Sequence, residues 1–140
     1  MLEIKKYGAI DIGSNAIRLL ISNVIVSDEK EPKFKKSSLV RVPIRLGAEA
    51  FKDDGIISKA NIERMVNAME AFKLLMKVHH VERYKACATS AMREATNGEK
   101  VAKEIQVKTG IKIDIISGKE EAAIISSTDL NELIEGDNSY

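Results

Sequence analysis

The stretch that decides the fold reads YGAIDIGSNAIRLLISNVIV and runs from residue 7 to residue 26. It holds two apolar runs, Tyr7 to Ile12 and Ile17 to Val26, and the second is rich in β-branched residues. Between the runs stand typical turn residues, Gly13, Ser14 and Asn15. Two apolar runs joined by a short turn predict an antiparallel β-hairpin.

The next segments predict a third strand and a long helix. The strand is expected over Ser38 to Leu46, after a charged loop around Asp28 to Lys33, and Pro43 favours an edge or irregular position for it. Ser58 can cap a helix that ends near His79. The apolar face of that helix is formed by Ile62, Met65, Val66, Met69, Phe72 and Met76.

Strand and helix patterns then alternate. Strands are expected over Tyr84 to Thr89 and Ile111 to Ile116, with a helix over Gly98 to Thr109 between them. Thr96 and Glu99 have the spacing of a capping box for this helix. A last helix is expected from about Lys119 to Ile134.

The resulting order β-β-β-α-β-α-β-α predicts an α/β domain. Its mixed five-stranded sheet is flanked by helices, with three antiparallel strands first and two strands parallel to the first one after them. Residues 1–134 are expected to form this domain, and the polar residues 135–140 a linker or a cut end.

Composition favours an ordinary globular domain and excludes several function classes. Of the 140 residues, 44% are hydrophobic and 31% are charged, and the net charge is only +1. This balance argues against a nucleic-acid-binding or membrane-binding surface. The one cysteine, Cys87, cannot form an internal disulfide and is expected in the core. With no signal peptide at the N-terminus, a cytoplasmic protein is expected.

The first candidate site is the turn itself. Asp11 ends an apolar strand, where an unpaired charge is costly, so a metal ion or its water shell would explain it. The backbone amides of Gly13, Ser14 and Asn15 can form a nest for a phosphate group, and Arg18 follows shortly. A plain hairpin turn, in which Asp11 and Asn15 only satisfy backbone groups, explains the same residues.

The second candidate site is ATSAMREATN, residues 88–97, after a predicted strand. Ligands of α/β proteins bind beyond the carboxyl ends of strands, and the groups of Thr89, Ser90 and Arg93 suit phosphate oxygens. The alternative is a solvated helical turn in which Thr96 and Asn97 serve only as caps.

The third candidate site is IISGKEEA, residues 115–122. Lys119 is there either a phosphate contact or a solvated lysine. Ser117 and Glu120 fit a capping box, which leaves Glu121 in the first helical turn as a possible general base on a water molecule. The helix dipole alone also favours a carboxylate at that place.

Four blocks, in this order, resemble the exopolyphosphatase/guanosine pentaphosphate phosphatase family of the acetate kinase, Hsp70 and actin superfamily. They are AIDIGSNAIRLLI, VPIRLGAEAFKDDGIIS, ATSAMREATNG and IISGKEEA, and the resemblance spans residues 7 to 130. It implies a ribonuclease-H-like lobe, as in actin-like ATPases. The implied reaction is Mg²⁺-dependent hydrolysis of a terminal phosphoanhydride of polyphosphate or guanosine pentaphosphate.

The resemblance also implies roles for individual residues. Glu121 matches the catalytic glutamate, and Asp11 matches an aspartate that positions a metal ion or water. Phosphate-facing positions of the family fall on Ser14, Asn15, Arg18, Arg93 and Lys119. Gly13, Ser90 and Gly118 complete the expected phosphate-binding set. The whole protein is then expected to be a homodimer that binds neither nucleic acid nor membranes.

The chain departs from the family pattern at two places. Ala48, Glu49 and Ala50 follow Arg45-Leu46-Gly47 where the family has a further small or glycine position, which leaves the role of Arg45 open. The second phosphate motif of the family, D-x-G-G-G-S, is absent, so the chain is expected to carry half of a cleft and to be inactive alone. A kinase or ATPase of the same superfamily and a non-catalytic module that binds phosphate compounds are the alternative functions.

Overall fold

The computed structural model describes residues 3–27, 30–52 and 54–116, and these residues form five strands and four helices. The strands are β1 (Glu3–Ile12), β2 (Ile17–Ser27), β3 (Lys30–Val42), β4 (Arg83–Ala88) and β5 (Ile113–Ile115). The helices are α1 (Gly47–Ala50), α2 (Lys59–Val78), α3 (Ser90–Glu94) and α4 (Gly98–Thr109). The predicted last helix and the residues 135–140 lie outside the described residues.

All five strands form one mixed sheet in the order β3-β2-β1-β4-β5. The pairs β1–β2 and β2–β3 are antiparallel, whereas β4 runs parallel to both β1 and β5. The predicted directions of all five strands are therefore confirmed. The carboxyl ends of β1, β4 and β5, at Ile12, Ala88 and Ile115, meet at one edge of the sheet, which we call the site edge.

The predicted residue bounds of the third strand were wrong, but its predicted location at the edge of the sheet is confirmed. β3 begins at Lys30, inside the predicted charged loop, and ends at Val42, before Pro43. Backbone pairing with the long strand β2 continues to Lys30 and extends β3 beyond what its own composition suggests, because strand propensity is a weak preference that pairing with a neighbour overrides. β3 is an edge strand, as the proline indicated.

Helix α2 confirms its sequence pattern. The Ser58 hydroxyl accepts a hydrogen bond from the Asn61 N–H at 3.2 Å and caps the helix. Met65, Met69 and Phe72 are fully buried, so the predicted apolar face is the face that packs. No helix among the described residues has both the length and the apolar character that crossing a membrane needs.

The region before α4 differs from its prediction. α4 begins at Gly98 and ends at Thr109 as expected, but Thr96 does not cap it. The Thr96 hydroxyl instead donates to the Asp54 carbonyl at 3.0 Å. A tertiary partner thus replaces the local one, and the short helices α1 and α3, which the pattern did not predict, occupy the loops.

The two faces of the sheet have different characters. The inner face carries Ile10, Ile12, Ile17 and Leu19, which are buried with the apolar sides of α2 and α4. The outer face carries Asp11, Arg18, Arg41, Cys87 and Asp114, which are half-buried or exposed. Cys87 is therefore not a core residue, since its strand turns Ala86 and Ala88 inward instead.

Substitution of Phe72 tests the core. Phe72→Ala should lower the free energy of unfolding by about 3–5 kcal/mol, because it removes a fully buried aromatic ring and leaves a cavity. Leu74→Ala, on the outer side of the same helix where the side chain is 60% exposed, should change it by less than about 0.5 kcal/mol. Urea unfolding followed by circular dichroism measures both, and equal losses would contradict this packing.

Candidate functional site

The turn between β1 and β2 is closed by one backbone hydrogen bond. The Gly13 N–H donates to the Ala16 carbonyl at 3.0 Å, so this amide is used inside the turn and is not available to a ligand. The backbone N–H groups of Ser14 and Asn15 have no acceptor among the described residues. Two of the three predicted nest amides therefore remain available to a phosphate group.

The first and second predicted sites lie together at the site edge. The Ser14 and Ser90 hydroxyls are hydrogen-bonded at 2.9 Å, although 76 positions separate them in the chain. The Thr89 N–H donates to the Ile12 carbonyl at 3.1 Å, so the segment after β4 is held against the end of β1. Two hydroxyls thus face each other beside the turn, whose Ser14 and Asn15 amides have no acceptor within the described part of the chain.

Asp11 and Arg18 form an ion pair across the β1–β2 hairpin. They are direct register partners, and the Arg18 guanidinium contacts the Asp11 carboxylate. The aspartate is 36% exposed and the arginine 53% exposed. The charge at the end of β1, which suggested a metal ion from the sequence, is thus already balanced by an arginine that the same sequence assigned to phosphate.

Arg93 connects the second site to the third. Its guanidinium donates to the Ile116 carbonyl at 2.8 Å, and the Ile116 N–H donates to the Ala88 carbonyl at 3.0 Å. The chain after β5 therefore leaves the sheet at the site edge, next to the segment with Ser90. The remaining predicted residues of the third site, Gly118, Lys119 and Glu121, lie outside the described residues.

The loop between β3 and α1 also contacts the turn at Ser14, and the sequence analysis did not assign this loop to a candidate site. The Gly47 N–H donates to the Ser14 carbonyl at 2.9 Å. A Cβ atom on Gly47 would lie 3.1 Å from the Ser14 Cβ, so glycine allows the two backbones to approach closely. Arg45 projects to the solvent between two fully buried residues, Ile44 and Leu46. The R-L-G sequence was the only signal for this contact.

The loop between α1 and α2 is anchored by residues of the second motif. The Asn97 side chain accepts from the Ile57 N–H at 2.9 Å and donates to the Ile57 carbonyl at 3.1 Å. The Thr96 N–H donates to the Gly55 carbonyl at 2.7 Å. Thr96 and Asn97 thus have structural roles, while Ser90 and Arg93 of the same motif lie at the site edge.

Glu49 holds the same loop at its last residue, Ser58, which is the N-cap of α2. One carboxylate oxygen accepts from the Ser58 N–H at 2.9 Å and from the Asn61 side-chain amide at 2.7 Å. Partial burial acts to raise the pKa of Glu49, but the hydrogen bonds from Ser58 and Asn61 and the charge of Lys52 outweigh it and lower this pKa. Glu49 is therefore a structural carboxylate that is stabilised as an anion.

The helices of the second motif are packed backbone to backbone. A Cβ atom on Gly98 would lie 1.9 Å from the Met92 carbonyl oxygen, a distance that no side chain can occupy. Only glycine therefore lets α4 begin directly beside α3. This contact holds α3, and with it Ser90 and Arg93, in its position at the site edge.

The side chains at the site edge could bind a metal ion only if phosphate oxygens and water supplied most of its ligands. Among the described residues no cluster of three or more histidine, cysteine, aspartate or glutamate side chains can hold a metal. Mg²⁺ is often bound through one or two carboxylates, with phosphate oxygens and water completing its shell. Asp11, as one accessible carboxylate beside the turn, fits that mode and not a closed protein cage.

This arrangement defines a class of protein. An antiparallel three-stranded meander followed by parallel strands, with a polar turn and hydroxyls at one sheet edge, is the lobe of a ribonuclease-H-like, actin-like ATPase fold. The chain belongs to the Ppx/GppA phosphatase family, whose family model matches residues 25–135. The family and the fold expected from the resemblance are thus confirmed.

Individual relatives agree with this assignment. Exopolyphosphatase 1 of Mycobacterium tuberculosis is 25% identical over 119 residues, which are 85% of this chain and 33% of the relative. A guanosine-5'-triphosphate,3'-diphosphate pyrophosphatase of Vibrio cholerae is 31% identical over 120 residues, 85% of this chain and 23% of the relative. The crystal structure of the Aquifex aeolicus family member superposes with a TM-score of 0.75 at 28% identity, over 85% of this chain and 37% of that one. The chain thus spans a third or less of the length of these two curated relatives.

The Glu49 anchor gives a testable pH dependence. Because its pKa is lowered by folding, its contribution to stability is present above the ordinary carboxyl pKa of about 4.3 and is lost as the pH falls through the lowered value. Glu49→Gln should therefore be less stable than the wild type at pH 7, and the difference should shrink below about pH 4. Urea unfolding from pH 7 to pH 3 measures this.

Glu63→Gln is the matched control, since Glu63 is exposed on α2 and has no hydrogen bond or ion pair to a described residue. A stability difference between wild type and Glu49→Gln that stays constant down to pH 3 would contradict the anchoring role.

Proposed function

We propose that this lobe binds phosphate for a hydrolase that releases terminal phosphate from inorganic polyphosphate or guanosine pentaphosphate. The observation that carries the proposal is the 2.9 Å hydrogen bond between Ser14 and Ser90. It joins two motifs that each suit phosphate and that lie far apart in the chain. The two relatives described above bear the names of enzymes with these two kinds of substrate.

The phosphate group is proposed to bind at the β1–β2 turn. The N–H groups of Ser14 and Asn15 donate to no acceptor among the described residues, and the hydroxyls of Ser14 and Ser90 lie beside them. Such preorganised donors stabilise the charge on a transferring phosphoryl group without reorganisation, which is the main source of catalysis for this reaction. Arg93 is proposed to add a guanidinium to the same phosphate while its bond to Ile116 orients it.

Asp11 is proposed to position Mg²⁺ together with the phosphate. When bound, the ion would neutralise negative charge on the phosphate oxygens. Arg18 balances the Asp11 carboxylate in the structure. Because both side chains are partly exposed, Arg18 can turn from Asp11 toward a phosphate group without breaking a buried contact.

Glu121 is proposed as the general base that takes a proton from the attacking water. The support is its match to the S-G-x-E-E block and the course of the chain up to Ile116, whose backbone pairs with Ala88 at the site edge. Gly118 and Lys119 are proposed to contact the same phosphate on the same grounds.

A second lobe, a homodimeric whole protein and a cytoplasmic location are part of the proposal. The relatives extend well beyond the matched region, which supports a second lobe that closes the cleft over the site edge. The dimer rests on the family resemblance, and the location on the single cysteine and the composition.

Phosphate release is the direct test, measured with Mg²⁺ on polyphosphate and on guanosine pentaphosphate in a form of the protein that includes the second lobe. Ser14→Ala should reduce release from both substrates about tenfold, the usual worth of a hydrogen bond to a charged group. Ser22→Ala removes a hydroxyl of the same hairpin that pairs with Tyr7, far from the turn, and should have no effect. Release from neither substrate by the wild-type protein would refute the proposed function.

The adjacent residues Glu120 and Glu121 are expected to have different roles, one in stability and the other in catalysis. Glu121→Gln should lower kcat by about 10²- to 10⁴-fold with little change in KM, because the amide keeps its shape but cannot take a proton. Glu120→Ala, which removes the proposed cap partner of Ser117, should cost about 1 kcal/mol of stability and retain kcat. Steady-state kinetics and thermal unfolding of both variants decide between the roles, and the reverse pattern would exchange them.

A further inference from the structure

One row of five side chains crosses the whole outer face of the sheet at the site edge. Strand register aligns Arg41 with Arg18, Arg18 with Asp11, Asp11 with Cys87, and Cys87 with Asp114. Side chains that are direct register partners project from the same face. The row therefore changes from two positive charges on β3 and β2 to negative charges on β1 and β5.

The positive end of this row is only half balanced. Asp11 pairs with Arg18, and Arg41 is exposed and makes no hydrogen bond or ion pair with a described residue. Like charges that face each other directly across an antiparallel pair destabilise it. The Asp11 carboxylate offsets the Arg18 charge, so a bound anion would neutralise mainly the charge of Arg41 and the repulsion that remains between the two guanidinium groups.

We propose that Arg18 and Arg41 together form a second phosphate subsite, which binds an inner phosphate of an inorganic polyphosphate chain whose end lies at the β1–β2 turn. The inference rests on the proposed function and extends it to the path of the substrate. Arg41 is the new residue in this subsite, and guanidinium groups suit it because they bind phosphate oxygens bidentately.

Distance and charge give this path its direction. Two strand spacings, about 10 Å, separate Arg41 from Asp11, so a chain of several linked phosphates is needed to reach it from the turn. The opposite direction leads over β4 and β5 toward Asp114, which repels an anion. A long polyphosphate is therefore held over β2 and β3, and a short one binds at the turn alone.

Binding to the 140-residue chain tests the subsite, with inorganic tripolyphosphate and a long-chain polyphosphate as the two probes at one fixed salt concentration. Arg41→Gln should weaken binding of the long chain about tenfold and leave tripolyphosphate binding within about twofold. The matched control is Arg83→Gln, which removes the same charge from an exposed position near the far end of the same sheet, beside Tyr7. It should change neither affinity by more than about twofold.

A direct readout accompanies the affinities. In nitrogen-edited nuclear magnetic resonance spectra, the Arg41 side-chain Nε–H signal should shift with the long chain and not with tripolyphosphate. Arg41→Lys should recover only part of the lost affinity, because an ammonium group cannot bind two oxygens in a fixed plane.

Three results would overturn the subsite: equal losses in Arg41→Gln and Arg83→Gln, a wild type that binds the long chain no tighter than tripolyphosphate, or no shift of the Arg41 signal. Each of them leaves tripolyphosphate binding at the turn, and with it the proposed function, intact. Failure of the wild type to bind either probe would instead overturn both.

Discussion

The parallel pairing of β1 with β4 is the constraint on which the site depends. It aligns Asp11 with Cys87 and Ile12 with Ala88, so the strands end side by side and the Thr89 N–H meets the Ile12 carbonyl. Once those ends are aligned, Ser14 and Ser90 are within hydrogen-bonding distance. β5 extends the same edge, and Ile116 closes it through Ala88 and Arg93. A shift of this register by one residue would turn Asp11 inward and separate the motifs.

Hydrogen-bonded loops support this edge from one side. Glu49 and Asn97 tie the segment before α2 to its neighbours through paired hydrogen bonds, and Gly47 bonds to Ser14. The Gly98 contact with Met92 holds α3 against α4. Residues of the second motif therefore have two kinds of role. Ser90 and Arg93 lie at the site edge, and Thr96 and Asn97 hold the loop between α1 and α2. A preorganised binding site needs both kinds of residue.

Local patterns predicted what local physics controls. The hairpin and the capped helix α2 followed from apolar periodicity and the Ser58 cap. Helix α4 has the predicted bounds, and Gly110, with a φ of 81°, ends it. The start of β3 and the role of Thr96 were wrong, because a neighbouring strand and the Asp54 carbonyl outweighed the local preferences. Cys87 was misplaced for a similar reason: an apolar strand sequence does not tell which of its alternate residues face the helices.

By itself the sequence determined the order and direction of the strands, the buried face of α2 and the family, because periodicity and motif order are written in consecutive residues. It also singled out Ser14, Ser90 and Arg93, which the structure brings to the site edge. Only the tertiary structure decided that Asp11 is paired with Arg18, that the Gly13 amide is consumed by its own turn and that Arg41 stands beside Arg18. The first two facts depend on how the β1–β2 turn closes, because turns of different geometry would pair different residues across the hairpin. The third depends on the register between β2 and β3, which arises from packing between separate segments of the chain.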